Sequence, residues 1–291
     1  MKKSNTICFI LLVLALVLCY LTNRDIEKIS LEKENIQYYS ENIITGEEYD
    51  FSKEYYIYYS FLNDNEKELY KQIYANIINY KKVIKPITSV KVERLKVIIE
   101  SIYNDHPELF YLDTNYFYKY DDDNNCIEIT LNYNETIDNI EENKKLINEK
   151  LELIIKNASK YKNDLEKEKY VYNYLINNIS YDKEAKLNQS IYSALIYGKS
   201  VCAGYARSFQ LIMQMLDIPT YYVLGFAKED HAWNIIKLGD GYYNIDLTWD
   251  DTGIRYSHFN LPDLDMEKTH SRVGISKYLP YCNDYRYYKY E

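Results

Sequence analysis

What this chain lacks narrows its function before any motif is read. It has no excess of basic charge: 35 lysines and arginines stand against 44 aspartates and glutamates in 291 residues, for a net charge of −9. The lysines are interspersed with acids and form no basic stripe, so nucleic acid is not the expected partner. Cysteine is scarce too. Of five, Cys8 and Cys19 fall in an apolar N-terminal run, leaving Cys126, Cys202 and Cys282. That is no disulfide framework, and with Cys202 kept as a free thiol a Cys126–Cys282 bridge is the one pairing left open. Around Cys202 and His231 no second Cys or His stands at a ligand spacing such as C-x-x-C or H-x-x-x-H, which argues against zinc. The cluster Asp121 to Asn125 lacks the Gly and the closing Glu of an EF-hand loop and reads as a solvated turn. His258 and His270 are a weak candidate for a metal pair, so no metal or cofactor is expected. Internal repeats and low-complexity tracts are missing as well.

Tyrosine is abundant, with 36 copies. Together with plentiful Asn, Lys and Ile this points to a codon bias toward A and T before any carbohydrate platform. The chain opens with Met1-Lys2-Lys3 and an apolar run from Ile7 to Leu21, the pattern of a secretory signal or signal anchor. The run is short for a span of about 20 residues. No small-residue cleavage site follows Tyr20-Leu21, and Leu18 stands where a lipoprotein box wants a small residue. The expectation is an uncleaved single-pass anchor over residues 1–22, with Lys2 and Lys3 in the cytoplasm and the remainder outside the cell membrane. Cleavage would make the protein secreted.

Residues 23–60 read as a stalk or linker, with a short helix near Asp25–Glu34 and an extended piece at Tyr55–Tyr59. An N-terminal helical domain with a β-hairpin is expected over 61–160. Its helices follow from Leu69, Ile73, Ile77 and Tyr80, then from Val92, Leu95, Ile99 and Ile102, each set at helical spacing. Pro107 stops the second helix, and His106 in that turn reads as structural. Alternation at Tyr116–Tyr120 and Ile127–Tyr133 predicts the hairpin. Helical patterns resume at Ile137–Ala158 and Asp164–Ile179, the latter with a capping-box-like start at Asn163 and Glu166. A short helix at Ile191–Tyr197 falls inside the final domain, 161–291.

The chemistry gathers between Gly198 and Asp251. Cys202 opens a run in which Phe209, Ile212, Met213 and Leu216 recur at helical spacing, so its thiol is expected at a helix N-terminus. Unpaired amides and the helix dipole favour a thiolate there. Strand patterns follow in "TYYVLGF", "HAWNIIKL" and "YYNIDLTW", the last two flanking Gly239-Asp240-Gly241, a hairpin signal. With Gly239-Asp240 as the loop, Leu238 faces Gly241, Asp246 falls opposite Trp233, and His231 and Asp246 become diagonal neighbours on one face. Other loop lengths separate them. Nucleophile, base and orienting acid are the three roles of cysteine acyl transfer.

Three motifs in order, "VCAGYA" at Val201–Ala206, "HAWN" at His231–Asn234 and "DLTWD" at Asp246–Asp250, resemble those of the transglutaminase-like superfamily. The segments "DHPELF", "NNISYD" and the tail with Phe259, Asn260, Met266 and His270 are similar to its bacterial branch. The resemblance implies an α+β, papain-like core in which a nucleophile helix packs on an antiparallel sheet. It implies Cys202 as nucleophile, His231 as base then acid, and Asp246 as the orienting carboxylate, with His270 marking membership and no catalytic role. Ser200 stands where the family often has Gly, which leaves one oxyanion donor unnamed beside the nucleophile's own amide. The expected partner is a protein or cell-wall peptide substrate, hydrolysed or passed to an amine. The competing expectation is a cell-surface binding or scaffold module that has lost turnover.

Overall fold

The computed structural model describes residues 43–282. The expected anchor at 1–22 and the helix near Asp25–Glu34 lie outside the described residues. The chain divides into a first unit, Met1–Ile44, and a second, Thr45–Glu291; the second carries everything below. Among the described residues no helix is long and apolar enough to cross a membrane.

Residues 45–60, read as the end of a stalk, are packed into the second unit. Phe51 and Tyr58 are buried, and the Tyr58 hydroxyl donates to the Tyr222 carbonyl at 2.5 Å. Where extended chain was expected at Tyr55–Tyr59, a single helical turn forms, α1 (Ile57–Ser60). Its cause is a distant carboxylate: Asp105 accepts the amides of Tyr58 and Tyr59 at 3.1 and 2.8 Å, as a capping side chain does.

Helices α2 (Asp64–Ile78) and α3 (Val92–Asp105) follow the apolar spacing. The complete capping box belongs to α2, where Asn63 accepts from the Glu66 amide and Glu66 accepts from the Asn63 amide. The hairpin pairs β2 (Leu112–Tyr120) with β3 (Cys126–Tyr133), and the short β1 (Val83–Ile84) adds to the other edge of β3. Two long helices come next, α4 (Ile140–Ala158) and α5 (Asp164–Asn178). At α5 only the Asn163 half of the capping box is made. The short helix expected at Ile191–Tyr197 forms, wound wider than an α-helix over Ser193–Tyr197. A parallel pair too short to announce itself, β4 (Ser180–Tyr181) with β5 (Lys199–Ser200), then leads into α6 (Cys202–Met215).

Helix α6 packs on a four-stranded antiparallel sheet of order β8-β7-β6-β9, with β6 Thr220–Ala227, β7 Glu229–Leu238, β8 Gly241–Ile245 and β9 Ser271–Arg272. This is an α+β fold with a largely helical N-terminal region. One hydrophobic core runs from Leu69 and Ile73 on α2 through Leu151 and Tyr172 to Phe209 and Phe259, so the segments 61–160 and 161–291 share it. The three described cysteines are free thiols; Cys126 and Cys282 are buried and Cys202 is half-buried.

Candidate active site

Helix α6 approaches the sheet through small residues. Ala203 and Ala206 on α6 meet Ala232 on β7 and Tyr222 on β6, which brings Cys202 and His231 face to face. Asn234 on β7 pins the two layers by donating to the Ala206 carbonyl at 3.0 Å. Gly204 is forced by its neighbour: a Cβ there would lie 1.9 Å from Ser200 Oγ. That hydroxyl is already committed, donating to the Asn188 carbonyl, which also accepts the Val201 amide at 3.0 Å. Ser200, the departure from the family pattern, thus clips the 188–190 loop to the start of α6. Gly225 on β6 is required for the same kind of reason, since a Cβ would meet Trp233 at 2.3 Å.

Cys202 is the first residue of α6, and Val201 before it offers no side-chain cap. The first amides to find acceptors are those of Gly204 and Tyr205, both on Val201 O. The Cys202 amide, at the first helical position, is one of those that helix geometry leaves without an intrahelical acceptor.

The sheet supplies the other two side chains. Leu238 pairs with Gly241 and Asn234 with Ile245, so the loop is Gly239-Asp240, with Gly239 in the left-handed region at φ +59°. This register sets Asp246 one step beyond the pair at Ile245, beside His231. "DLTWD" is not a strand end throughout. Strand β8 stops at Ile245, and Asp246 caps a short helix, α7 (Leu247–Thr252). Its Oδ1 accepts the amides of Thr248 and Trp249 at 2.9 and 3.1 Å, which fixes the carboxylate plane and stabilises the turn by about 1 kcal/mol. Its Oδ2 lies 2.6 Å from His231 Nε2. Cys202 lines the same cleft as the ring and acts on it as a hydrogen-bonding neighbour. Cys202, His231 and Asp246 are thus brought together in one chain of contacts.

Burial alone would push the proton off His231. The hydrogen bond of Asp246, that of Cys202 and their charges outweigh it and hold the imidazole up to about 10. Asp246 is wholly buried, which by itself would raise it, yet the imidazoles of His231 and His270 hold it well below the usual carboxylate range. His270 is the residue the sequence reading left without a role in the site. Its Nε2 lies 3.1 Å from the same Asp246 Oδ2, and its Nδ1 meets Thr269 Oγ1 at 2.8 Å. Burial first, and then the neighbouring imidazoles, keep it below its ordinary value in spite of Asp246. This favours the uncharged ring, and Asp246, which can only accept, takes the hydrogen of Nε2.

Two imidazoles and a carboxylate with ligand atoms within 4.8 Å of one another invite comparison with a metal centre. The 2.6 Å contact is instead that of a charge-assisted hydrogen bond, with a proton between nitrogen and oxygen. His258 does not join the cluster through its nitrogens, turning Nδ1 to Asp250 at 3.1 Å and to Ser257.

The thiol opens onto a cleft of about 550 Å³ whose walls include Tyr181, Gln189, Tyr222, Leu224 and Asp230. The phenol of Tyr181 is raised by burial and then by Cys202 nearby. Across Asn188 and Gln189 lies a second cavity of about 210 Å³, lined by Leu109, Phe110, Leu187 and Arg207. Arg207 stacks 4.8 Å over the Tyr222 ring that also walls the cleft. The Lys183–Glu229 pair, 2.9 Å apart and exposed, stands at the rim. Of these lining residues Tyr181 falls in "NNISYD" and Leu109 and Phe110 in "DHPELF"; the others named here lie outside the motifs.

Residues 153–247 match the family model of the transglutaminase-like superfamily. Among solved structures the chain is similar to a TGase at 16% identity and a TM-score of 0.34, covering 60% of this chain and 52% of that one. It is also similar to a candidate cysteine protease from Cytophaga hutchinsonii, at 14% identity and 0.34, over 55% and 65% of the two chains. A candidate protease from Parabacteroides distasonis is a third, at 12% and 0.26, over 47% and 34%. The chain thus spans about half the length of the TGase it matches. No curated protein matches it.

Proposed function

We propose, starting from the transglutaminase-like core that residues 153–247 carry, that this protein is a cysteine-dependent acyl-transfer enzyme acting on peptide or carboxamide bonds. The observation that carries the reading is the contact chain Cys202, His231, Asp246 at the mouth of an open cleft. The Cys202 thiolate attacks the substrate carbonyl. A C–S bond forms and the carbonyl π pair moves to oxygen, where the Cys202 amide receives it. As that pair returns, the C–N bond breaks and the leaving amine takes the proton from His231. Neutral His231 then accepts a proton from water as the hydroxyl oxygen adds to the thioester. Collapse releases the carboxylic acid, and His231 with Cys202 returns to its starting state.

Hydrolysis is slightly favoured over transfer to an amine, because the cleft is open, its rim is polar, and among the described residues none closes it against water. The neighbouring apolar cavity behind Asn188 and Gln189 supports a peptide over a small amide, since an extended chain leaving Cys202 has somewhere to put a side chain. A substrate outside the cell, protein or cell-wall peptide, follows from the N-terminal Lys-Lys and apolar pattern.

The test is iodoacetamide labelling of the full chain against pH, with Cys202→Ala to identify the signal. Cys202 is the one half-buried thiol among the described residues, the other two being buried. Labelling at neutral pH is expected to fall about tenfold or more in His231→Ala. Equal rates in the two proteins refute the acyl-transfer reading and favour a binding module. Peptides offered with and without a primary amine then separate hydrolysis from transfer.

A further inference from the structure

Asp246 Oδ2 receives two imidazoles, and only one of them faces the thiol. His231 Nε2 stands 2.6 Å away and His270 Nε2 3.1 Å. The carboxylate does not need His270 to hold its orientation, because Oδ1 is fastened by the amides of Thr248 and Trp249. His270 in turn is held independently, by Thr269 on Nδ1 and between the rings of Trp233 and Trp249 at 5.1 and 4.5 Å. Two fixed donors therefore share one oxygen.

We propose that His270 is a positioning residue of the acyl-transfer site, limiting through the shared Asp246 oxygen how tightly the carboxylate grips the His231 imidazolium. The inference rests on the reading of Cys202 and His231 given above. A neutral N–H donated to Oδ2 draws off part of the charge that would otherwise act on His231 alone. Proton donation to a leaving amine is efficient only if the acid can release its proton. An imidazolium facing an undivided, wholly buried carboxylate would hold it harder. His270 thus keeps the acid of the reaction within working range while leaving the ring where Asp246 puts it.

The charged and titratable groups around the pair are few. His231 faces Cys202 and Asp246. His270 faces His231 and Asp246, with His258 at 5.8 Å, itself bound to Asp250. The Lys228 ammonium lies over the Trp249 ring. Behind His270 a cavity carries Glu267, Arg272 and Lys277, and Arg272 is neutralised by Asp263 at 2.5 Å. None of these others reaches Asp246 Oδ2 with a hydrogen bond among the described residues.

Iodoacetate labelling of Cys202 in the full chain, from about pH 5 to about pH 11, reads the effect. The anionic reagent is favoured by the imidazolium, so the alkaline limb of the rate profile reports loss of the His231 proton. In His270→Phe, which keeps a ring and removes the donor, that limb is expected to move up by roughly one pH unit, about tenfold in proton affinity. His270→Gln, whose amide can still donate to Oδ2, should restore the wild-type limb. Should His270→Phe not fold, His270→Asn, too short to reach, takes its place. The proposal is overturned if the donor-less variant superimposes on wild type, or if His270→Gln shifts as far as His270→Phe. Labelling that ignores His231→Ala removes the acyl-transfer reading and the role of His270 together. Labelling that needs His231 and ignores His270 removes the second alone.

Discussion

Two histidines in this chain make nearly the same contact in opposite surroundings. His106 Nδ1 lies 2.7 Å from Glu108 Oε1, and His231 Nε2 lies 2.6 Å from Asp246 Oδ2. In the first pair the imidazole is fully buried and the carboxylate is 41% exposed; in the second the carboxylate is fully buried. The far nitrogen separates them further. Among the described residues His106 Nε2 is buried without a partner, enclosed by Phe51, Tyr56, Tyr70 and Tyr74 at 4.3 to 5.7 Å between ring centres. His231 shares an open cleft with a thiol. An imidazole bound to a carboxylate is thus only an oriented ring. What makes a candidate site is a reactive group and room for a substrate beyond it.

The comparison breaks most sharply at the two rings themselves. His231→Ala is expected to lower turnover by about 10⁴-fold or more, while leaving the melting temperature close to wild type. His106→Ala should do the reverse. Emptying the aromatic box costs about 2–4 kcal/mol by analogy with other buried ring truncations, and Cys202 labelling should stay at the wild-type rate. Denaturant midpoints and labelling rates measured on both proteins decide the matter. A loss of labelling in folded His106→Ala would mean that the aromatic box and the cleft are coupled.

This contrast was only half legible in the sequence. Cys202, His231 and Asp246 each sit in a local pattern: a helix start, a strand start, and a hairpin whose Gly239-Asp240 loop dictates register. Local patterns are what periodicity reports. The helices over Asp64–Ile78 and Val92–Asp105 and the sheet around β7 were readable for the same reason. His270 was not, because its contact with Asp246 spans 24 residues and it lies in an irregular segment. The turn at Ile57–Ser60 escaped notice likewise, since the carboxylate that caps it is Asp105, far along the chain. So did the helix capped by Asp246: a carboxylate that serves a backbone turn through one oxygen and an imidazole through the other reads in sequence as the end of a strand.

Buried carboxyls extend the comparison to a smaller effect. Asp246 has four donors, two amides and two imidazoles, and stays charged. Asp105 has the amides of Tyr58 and Tyr59 and the Tyr70 hydroxyl, and burial pushes it up to about 7. Among the described residues Glu168 has only Asn260, at 2.9 Å, and burial pushes it to about 8 in spite of that bond and of Lys169. Among the described residues its Oε1 and Asn260 Oδ1 are both buried without a hydrogen-bond partner, so the site offers an ionised carboxylate little compensation for its lost water. Unfolded, Glu168 titrates near 4.5. Between that value and about 8 the folded state holds a proton that the unfolded state has lost, so stability is full below the window and falls as pH rises through it. Glu168→Gln should flatten this slope. Urea midpoints of both proteins at three pH values across the window test it, and parallel slopes would mean that Glu168 is ionised in the fold.

The smallest effect belongs to an ion pair made in water. Lys183 and Glu229 meet at 2.9 Å with side chains 58% and 62% exposed, against the fully buried Asp246 of the His231 pair. Solvent screening leaves an exposed pair little hold on the fold, so Lys183→Ala should melt with wild type. Its consequence is at the cleft mouth, where Glu229 and Asp230 would remain without the Lys183 ammonium. The local field then turns against anions. Iodoacetate labelling of Cys202 is expected to slow about two- to threefold at low salt, with neutral iodoacetamide unaffected, and the difference should vanish near 1 M salt, where the screening length is about 3 Å. Equal slowing with both reagents would show that Lys183 shapes the cleft instead of charging it, and the contrast between a screened rim and an unscreened interior would have to be redrawn at this residue.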